Sequence, residues 1–181
     1  FPAVHEPGRY GIFLEYAGER SPVAGFQILP AFDPESDYRL ILEAGGGELT
    51  IDLFEKQAPR TVRNIVNLAR TGFYDGARIP RALADVALQI AGPVTPKHRI
   101  QPVENTGAAM LAGSVLAEPS GPPGRASSAR FSLPNLLVLL GPQPSWQGTA
   151  AVVGQLIEGD EALARLVEQA PRARVDGARI I

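Results

Sequence analysis

A chain without cysteine and with only two histidines, His5 and His98, has few side chains able to carry chemistry. Thiolate nucleophiles and cysteine-zinc sites are removed outright, and two imidazoles leave too little for a metal cluster, so neither a metal nor another cofactor is expected. Ser127 and Ser128 lack a nearby histidine, which removes support for a hydrolase triad. Gly45-Gly46-Gly47 is followed by neither a Lys-Ser pair nor a helix start, and reads as a hairpin turn, not a phosphate cradle. Asp33, Glu35 and Asp37 precede a strand and read as a solvated linker. The prolines of Pro119 to Pro123 and Gly141 to Pro144 read as turns and loop stiffening.

Ala77 to Leu83 and Val86 to Ile90 are two short apolar runs, separated by Ala84-Asp85 and expected to pair as strands. Before them, Tyr38, Leu40 and Leu42 alternate up to the glycine turn, and Leu49, Ile51 and Leu53 alternate after it, as in a half-buried hairpin. Ala58-Pro59 then opens a segment with apolar residues at three- and four-residue spacing through Ala69, ended by Gly72, which predicts a helix of roughly three turns. From Gly92 to Ala129 the composition turns to Pro, Gly, Ser and Ala and predicts mainly loops around one apolar stretch, Ala109 to Leu116. Leu136 to Leu140, Ala150 to Val153 and Arg174 to Ile181 predict further strands, and Asp160 to Gln169 a second amphipathic helix. Many short strands, two helices and no strand–helix alternation predict a mainly β fold, a barrel or sandwich capped by helices.

The 181 residues suit one domain of ordinary size with an appendage. Residues 1–37 stand apart as an extension with two apolar runs, Tyr10 to Tyr16 and Val23 to Leu29, which the Gly18 to Pro22 turn would fold into a hairpin; the alternative is a loosely packed arm. Seventeen basic against nineteen acidic residues, a formal charge of -2, give no field that would draw nucleic acid or an anionic membrane. No stretch approaches the ~18 apolar residues of a membrane span. A first residue of Phe1 instead of Met points to a processed chain, and the expectation is an exported protein with its leader removed.

Three blocks of sequence resemble one family. Gly47 to Phe54, Ala58 to Ala69 (APRTVRNIVNLA) and Gly72-Phe73-Tyr74-Asp75-Gly76, supported by Leu140 to Gly148 and Val152 to Gly159 in the same order, resemble cyclophilin-type peptidyl-prolyl cis–trans isomerases. The resemblance covers residues 38–181 and leaves residues 1–37 outside. It implies a closed eight-stranded barrel with a helix capping each end, and a site that binds proline-containing protein segments.

It also implies the site residues. Arg81 takes the family's catalytic arginine position, within Ile79-Pro80-Arg81. The phenylalanine, methionine and glutamine of the next strand fall on Val86, Ala87 and Gln89, and the phenylalanine flooring the proline pocket falls on Leu137. A second alignment, with Arg130-Phe131 at the glutamine-phenylalanine pair, would make Phe131 the aromatic wall. The tryptophan and histidine of the last loop fall on Ser145 and Ala150, with Trp146 one position away. Arg81 would then donate to the prolyl nitrogen, and Gln89 would hold the substrate carbonyl. Arg81 as a strand residue paired with Asp85 or another carboxylate, and Gln89 as a polar residue on the barrel face, are the alternative uses. Each aromatic replaced by a smaller side chain removes about 1–3 kcal/mol of pocket contact. The expectation is an isomerase of weak or lost activity, or else a non-catalytic binding or structural subunit that reaches a partner through the N-terminal arm.

Overall fold

A computed structural model describes residues 5–93, 101–121 and 131–181, and of Gln101 and Phe131 the backbone alone. His98, Ser127, Ser128 and Arg130 therefore lie outside the described residues, as does the Phe131 side chain. The chain falls into two compact units, Phe1–Asp33 and Pro34–Ile181.

In the first unit, β1 (Gly8–Ile12), β2 (Glu15–Tyr16), β3 (Glu19–Arg20) and β4 (Ala24–Ile28) form one long hairpin. β1 pairs antiparallel with β4, setting Tyr10 opposite Phe26, and β2 pairs with β3 nearer the tip. The two-residue turn Ala17-Gly18 has both residues at positive φ, 52° and 81°, the geometry that matches the twist of a tight hairpin. The Tyr10 and Phe26 rings stack at 5.6 Å, and the Arg20 guanidinium lies 4.5 Å over the Phe13 ring. Its apolar side chains are nonetheless exposed, among them Ile12, Phe13, Leu14, Tyr16, Val23 and Phe26.

The second unit contains β5 (Arg39–Ala44), β6 (Gly47–Leu53), α1 (Pro59–Arg70), β7 (Arg78–Leu83), β8 (Ala87–Ala91), β9 (Gln101–Pro102), β10 (Ser114–Pro119), β11 (Phe131–Leu139), β12 (Ala151–Glu158), α2 (Asp160–Gln169) and β13 (Val175–Ile180). Eight strands form one antiparallel sheet in the order β13-β5-β6-β12-β10-β11-β8-β7, with β9 attached to β11. The curled sheet does not close as a full barrel. Its two edges meet through one bridge, Arg78 to Arg174, and a few flanking hydrogen bonds such as Ile79 N–H to Ala173 O at 3.1 Å.

Gly45 and Gly46, at φ 62° and 70°, make the β5–β6 turn, and a Cβ on Gly45 would stand 2.9 Å from Ala162 O of α2. α1 begins at Pro59, where the missing N–H costs nothing, and buries Thr61, Val62, Ile65, Val66 and Ala69. Ala58 offers no side-chain cap; Glu104 supplies one from a distant loop, accepting from Thr61 N at 2.7 Å and Thr61 Oγ1 at 2.6 Å. Gly72, at φ 76°, turns the chain so that Phe73 N–H donates to Leu68 O. α2 carries Asp160 and Glu161 in its first turn, where a negative charge suits the helix dipole, and buries Ala162, Leu163 and Leu166.

Among the described residues from Gly92 to Ala129 loops predominate as expected, but β10 begins inside the apolar stretch Ala109 to Leu116 and runs on to Pro119. Its residues Ser114, Val115, Leu116 and Ala117 are all buried, so both faces of this central strand are covered and no apolar–polar alternation marks it. No helix among the described residues is long and apolar enough to cross a membrane.

Candidate active site

The two strands carrying Arg81 and Gln89 are joined by a turn in which Val86 N–H donates to Leu83 O and Asp85 adopts φ 59°. That turn fixes a register in which Arg81 stands directly opposite Gln89 and Leu83 opposite Ala87. Gln89 in turn faces Leu137 on β11, and Leu137 faces Leu116 on β10. Residues directly opposite one another point to the same side of a sheet, so Arg81, Gln89, Leu137 and Leu116 form one row across four strands.

Above this row lies a cleft of about 440 Å³, whose walls include Arg81, Leu83, Ala87, Gln89, Leu133, Leu137 and Trp146. Trp146 is delivered by a short helical turn, Pro144–Trp146, held in place by Gln143 N–H to Met110 O at 2.9 Å and Gln147 Nε2 to Ala108 O at 2.8 Å. Beneath the cleft, Ala87, Met110, Leu116, Leu137, Leu139, Ala150 and Val152 form an apolar cluster, with Val86 and Trp146 packed against it.

The polar end of the cleft is a network. Arg81 Nε donates to Gln89 Oε1 at 3.1 Å, and Gln89 Nε2 donates to Glu118 Oε1 at 2.7 Å. The second carboxylate oxygen, Glu118 Oε2, accepts from Asn135 Nδ2 at 2.8 Å, while Arg81 Nη2 stands 3.9 Å from Glu118 Oε1. Gln89 and Asn135 are buried, the Glu118 side chain is 15% exposed, and that of Arg81 is 67% exposed. Asn135 Oδ1 is buried with no hydrogen-bond partner among the described residues. Just before Asn135, Pro134 O accepts from the hydroxyl of the fully buried Tyr74 at 2.9 Å. Burial pushes that phenol far above its ordinary pKa, so it remains a neutral donor anchoring β11.

Of the side chains singled out in the sequence, Arg81, Ala87, Gln89, Leu137 and Trp146 come together on the cleft wall. Val86 and Ala150 do not line it and pack in the cluster below, while Ser145 is exposed. The carboxylate beside Arg81 is Glu118, not Asp85. Sequence reasoning missed Glu118 and Asn135. The available signal was Asn135 itself, a polar residue inside an apolar run that becomes a central strand.

The family model described as "Cyclophilin type peptidyl-prolyl cis-trans isomerase/CLD" matches residues 39–178. The chain belongs to the cyclophilin family. Over 138 residues this cyclophilin is 28% identical to the peptidyl-prolyl cis-trans isomerase CYP18-2 of Arabidopsis thaliana, covering 69% of this chain and 77% of that one. A stretch of 61 residues is 33% identical to the spliceosome-associated protein CWC27 homolog of Xenopus laevis, covering 34% of this chain and 13% of that protein. In fold, it resembles a cyclophilin type peptidyl-prolyl cis-trans isomerase of Cryptosporidium parvum at TM-score 0.71 and 17% identity, over 81% of this chain and 98% of that one. The family's eight strands and two helices are thus those of residues 39–180.

Proposed function

We propose that the cleft binds proline-containing protein segments and isomerises their X-Pro bonds slowly. The row formed by Arg81, Gln89 and Leu137 beneath Trp146 carries this reading. Rotation about an X-Pro bond faces a barrier of about 20 kcal/mol because the amide nitrogen shares its lone pair with the carbonyl. A guanidinium N–H directed at that nitrogen strengthens its bond only as the nitrogen becomes pyramidal, and so favours the twisted state over either planar one. Arg81 is exposed enough to meet a bound peptide and is oriented from behind by Gln89. The proline ring would rest on Leu137 and Ala87 beside Trp146, the sole tryptophan of the chain. Leu137 and Ala87 offer less area than aromatic side chains would, which supports weak anchoring and a low rate.

The test is two-dimensional exchange NMR on an Ala-Pro peptide, which needs no protease. Wild type should raise the cis–trans exchange rate above buffer, and Arg81→Ala should return it to the buffer rate. Equal rates for wild type, variant and buffer would remove the catalytic reading. The exposed apolar side chains of the hairpin favour a second reading, a module that binds a partner protein without catalysis. The similarity to a spliceosome-associated protein in Xenopus laevis is consistent with such a role.

A further inference from the structure

Gln89 is buried in the cleft wall, and one of its two amide protons is donated to Glu118 at 2.7 Å, which fixes the orientation of the side-chain amide. The same carboxylate takes the Asn135 amide at 2.8 Å and stands 3.9 Å from the Arg81 guanidinium. Hydrogen bonds to an ionised acceptor are shorter and about twice as strong as neutral ones, so a peptide carbonyl, itself neutral, competes poorly for that proton and must meet the amide in the orientation Glu118 sets. We propose that Glu118 is an internal restraint on the cleft: its carboxylate holds the Gln89 amide in one orientation through one of its two protons and draws Arg81 towards β10, lowering affinity for X-Pro peptides. This rests on the proline-binding reading of the cleft. Glu118 is a positioning residue, since it acts on a substrate through Gln89 and Arg81.

The restraint has a sign that a structural role lacks. Removing a residue that merely supports the cleft would weaken binding, whereas removing a restraint strengthens it. Glu118→Ala releases the Gln89 amide to turn towards a peptide carbonyl and leaves Arg81 without its neighbouring carboxylate. Glu118→Gln keeps the shape and an acceptor oxygen but replaces the charge-assisted bond with a neutral one, and should fall between the two. The affinity of wild type, Glu118→Ala and Glu118→Gln for a synthetic Ala-Pro tetrapeptide is to be measured by Trp146 emission, with side-chain amide NMR resonances of Gln89 and Asn135 recorded for each. Backbone spectra of each variant confirm that it is folded.

Glu118→Ala should bind about tenfold more tightly, equivalent to about 1.4 kcal/mol, and Glu118→Gln a few-fold more tightly. Both side-chain amides should shift on either substitution. If wild type binds the peptide and neither variant binds it more tightly, the restraint is overturned and the proline-binding reading stands. If neither wild type nor variant binds at millimolar peptide, both fall together, because removing the restraint has then uncovered no site. Unmoved amide resonances in Glu118→Ala would contradict the hydrogen-bond network on which the restraint depends.

Discussion

Strands β8 and β11 present two faces of different character. On one, Leu88, Ile90, Leu136 and Val138 are each at most 1% exposed. On the other, Ala87, Gln89 and Leu137 are 7% to 8% exposed and open onto the cleft. The first face is purely apolar and fills the core, whereas the second mixes apolar side chains with two buried amides and a carboxylate. Packing alone accounts for the first. The second places polar groups where desolvation costs stability unless they are paired, and Glu118, reaching over from β10, supplies that pairing for the amide nitrogens of Gln89 and Asn135. The contrast separates residues that hold the fold from residues that shape the site.

The largest difference is expected from Leu88→Ala, which opens a cavity in the fully buried face. Chemical denaturation should show a loss of about 2–5 kcal/mol, while any protein that remains folded keeps its peptide affinity. Comparable losses of affinity and stability would merge the two faces into one unit. Glu104→Ala strips the N-terminus of α1 of its remote cap, away from the cleft. A loss of about 1–2 kcal/mol is expected in the same measurement. Arg81→Ala, on the cleft face, should change stability by no more than about 0.5 kcal/mol, because the side chain is largely exposed. A substantially larger loss would make Arg81 a structural residue.

The smallest effect concerns Glu55, whose carboxyl is buried and accepts from Tyr38 N–H at 2.6 Å. Burial raises its pKa, and the nearby charges of Asp52 and Asp37 push the same way, against the hydrogen bonds that lower it. The folded state therefore holds this proton more tightly than the unfolded chain does. The corresponding stability is present below the ordinary carboxyl pKa and is lost as pH rises through the raised one. Glu55→Gln keeps the acceptor for Tyr38 and should remove this decline from the stability profile in mildly acid solution. A variant that keeps the same decline would assign it to another group.

Much of the frame was legible in the sequence because its signals are local. The helix expected over Asp160 to Gln169 spans those residues, and the glycine turn after Ala44 joins two paired strands as expected, although Ile41 and Thr50 are buried between the alternating positions. Pairing of Tyr10 to Tyr16 with Val23 to Leu29 follows from a turn lying between them. What escaped depends on contacts distant in sequence. β10 shows no alternation because both of its faces are buried, and Glu118, between Ala117 and Pro119 in a stretch rich in Pro and Gly, reads as one more solvated acid. Its partners lie on β8 and β11, 29 and 17 positions away. The cap on α1 escaped for the same reason, since Glu104 lies 43 positions from Thr61. Trp146, which the resemblance places one position from the family's tryptophan, is brought to the cleft by the helical turn that carries it.

Because Trp146 is the only tryptophan and lines the cleft, its emission observes the proposed site without a label. Titration with an Ala-Pro tetrapeptide should give a saturable change in that emission, weakened in Arg81→Ala and absent with the matching peptide in which Ala replaces Pro. An emission unmoved at millimolar peptide, or a change of equal size with the proline-free peptide, would contradict the assignment of this cleft to proline-containing segments.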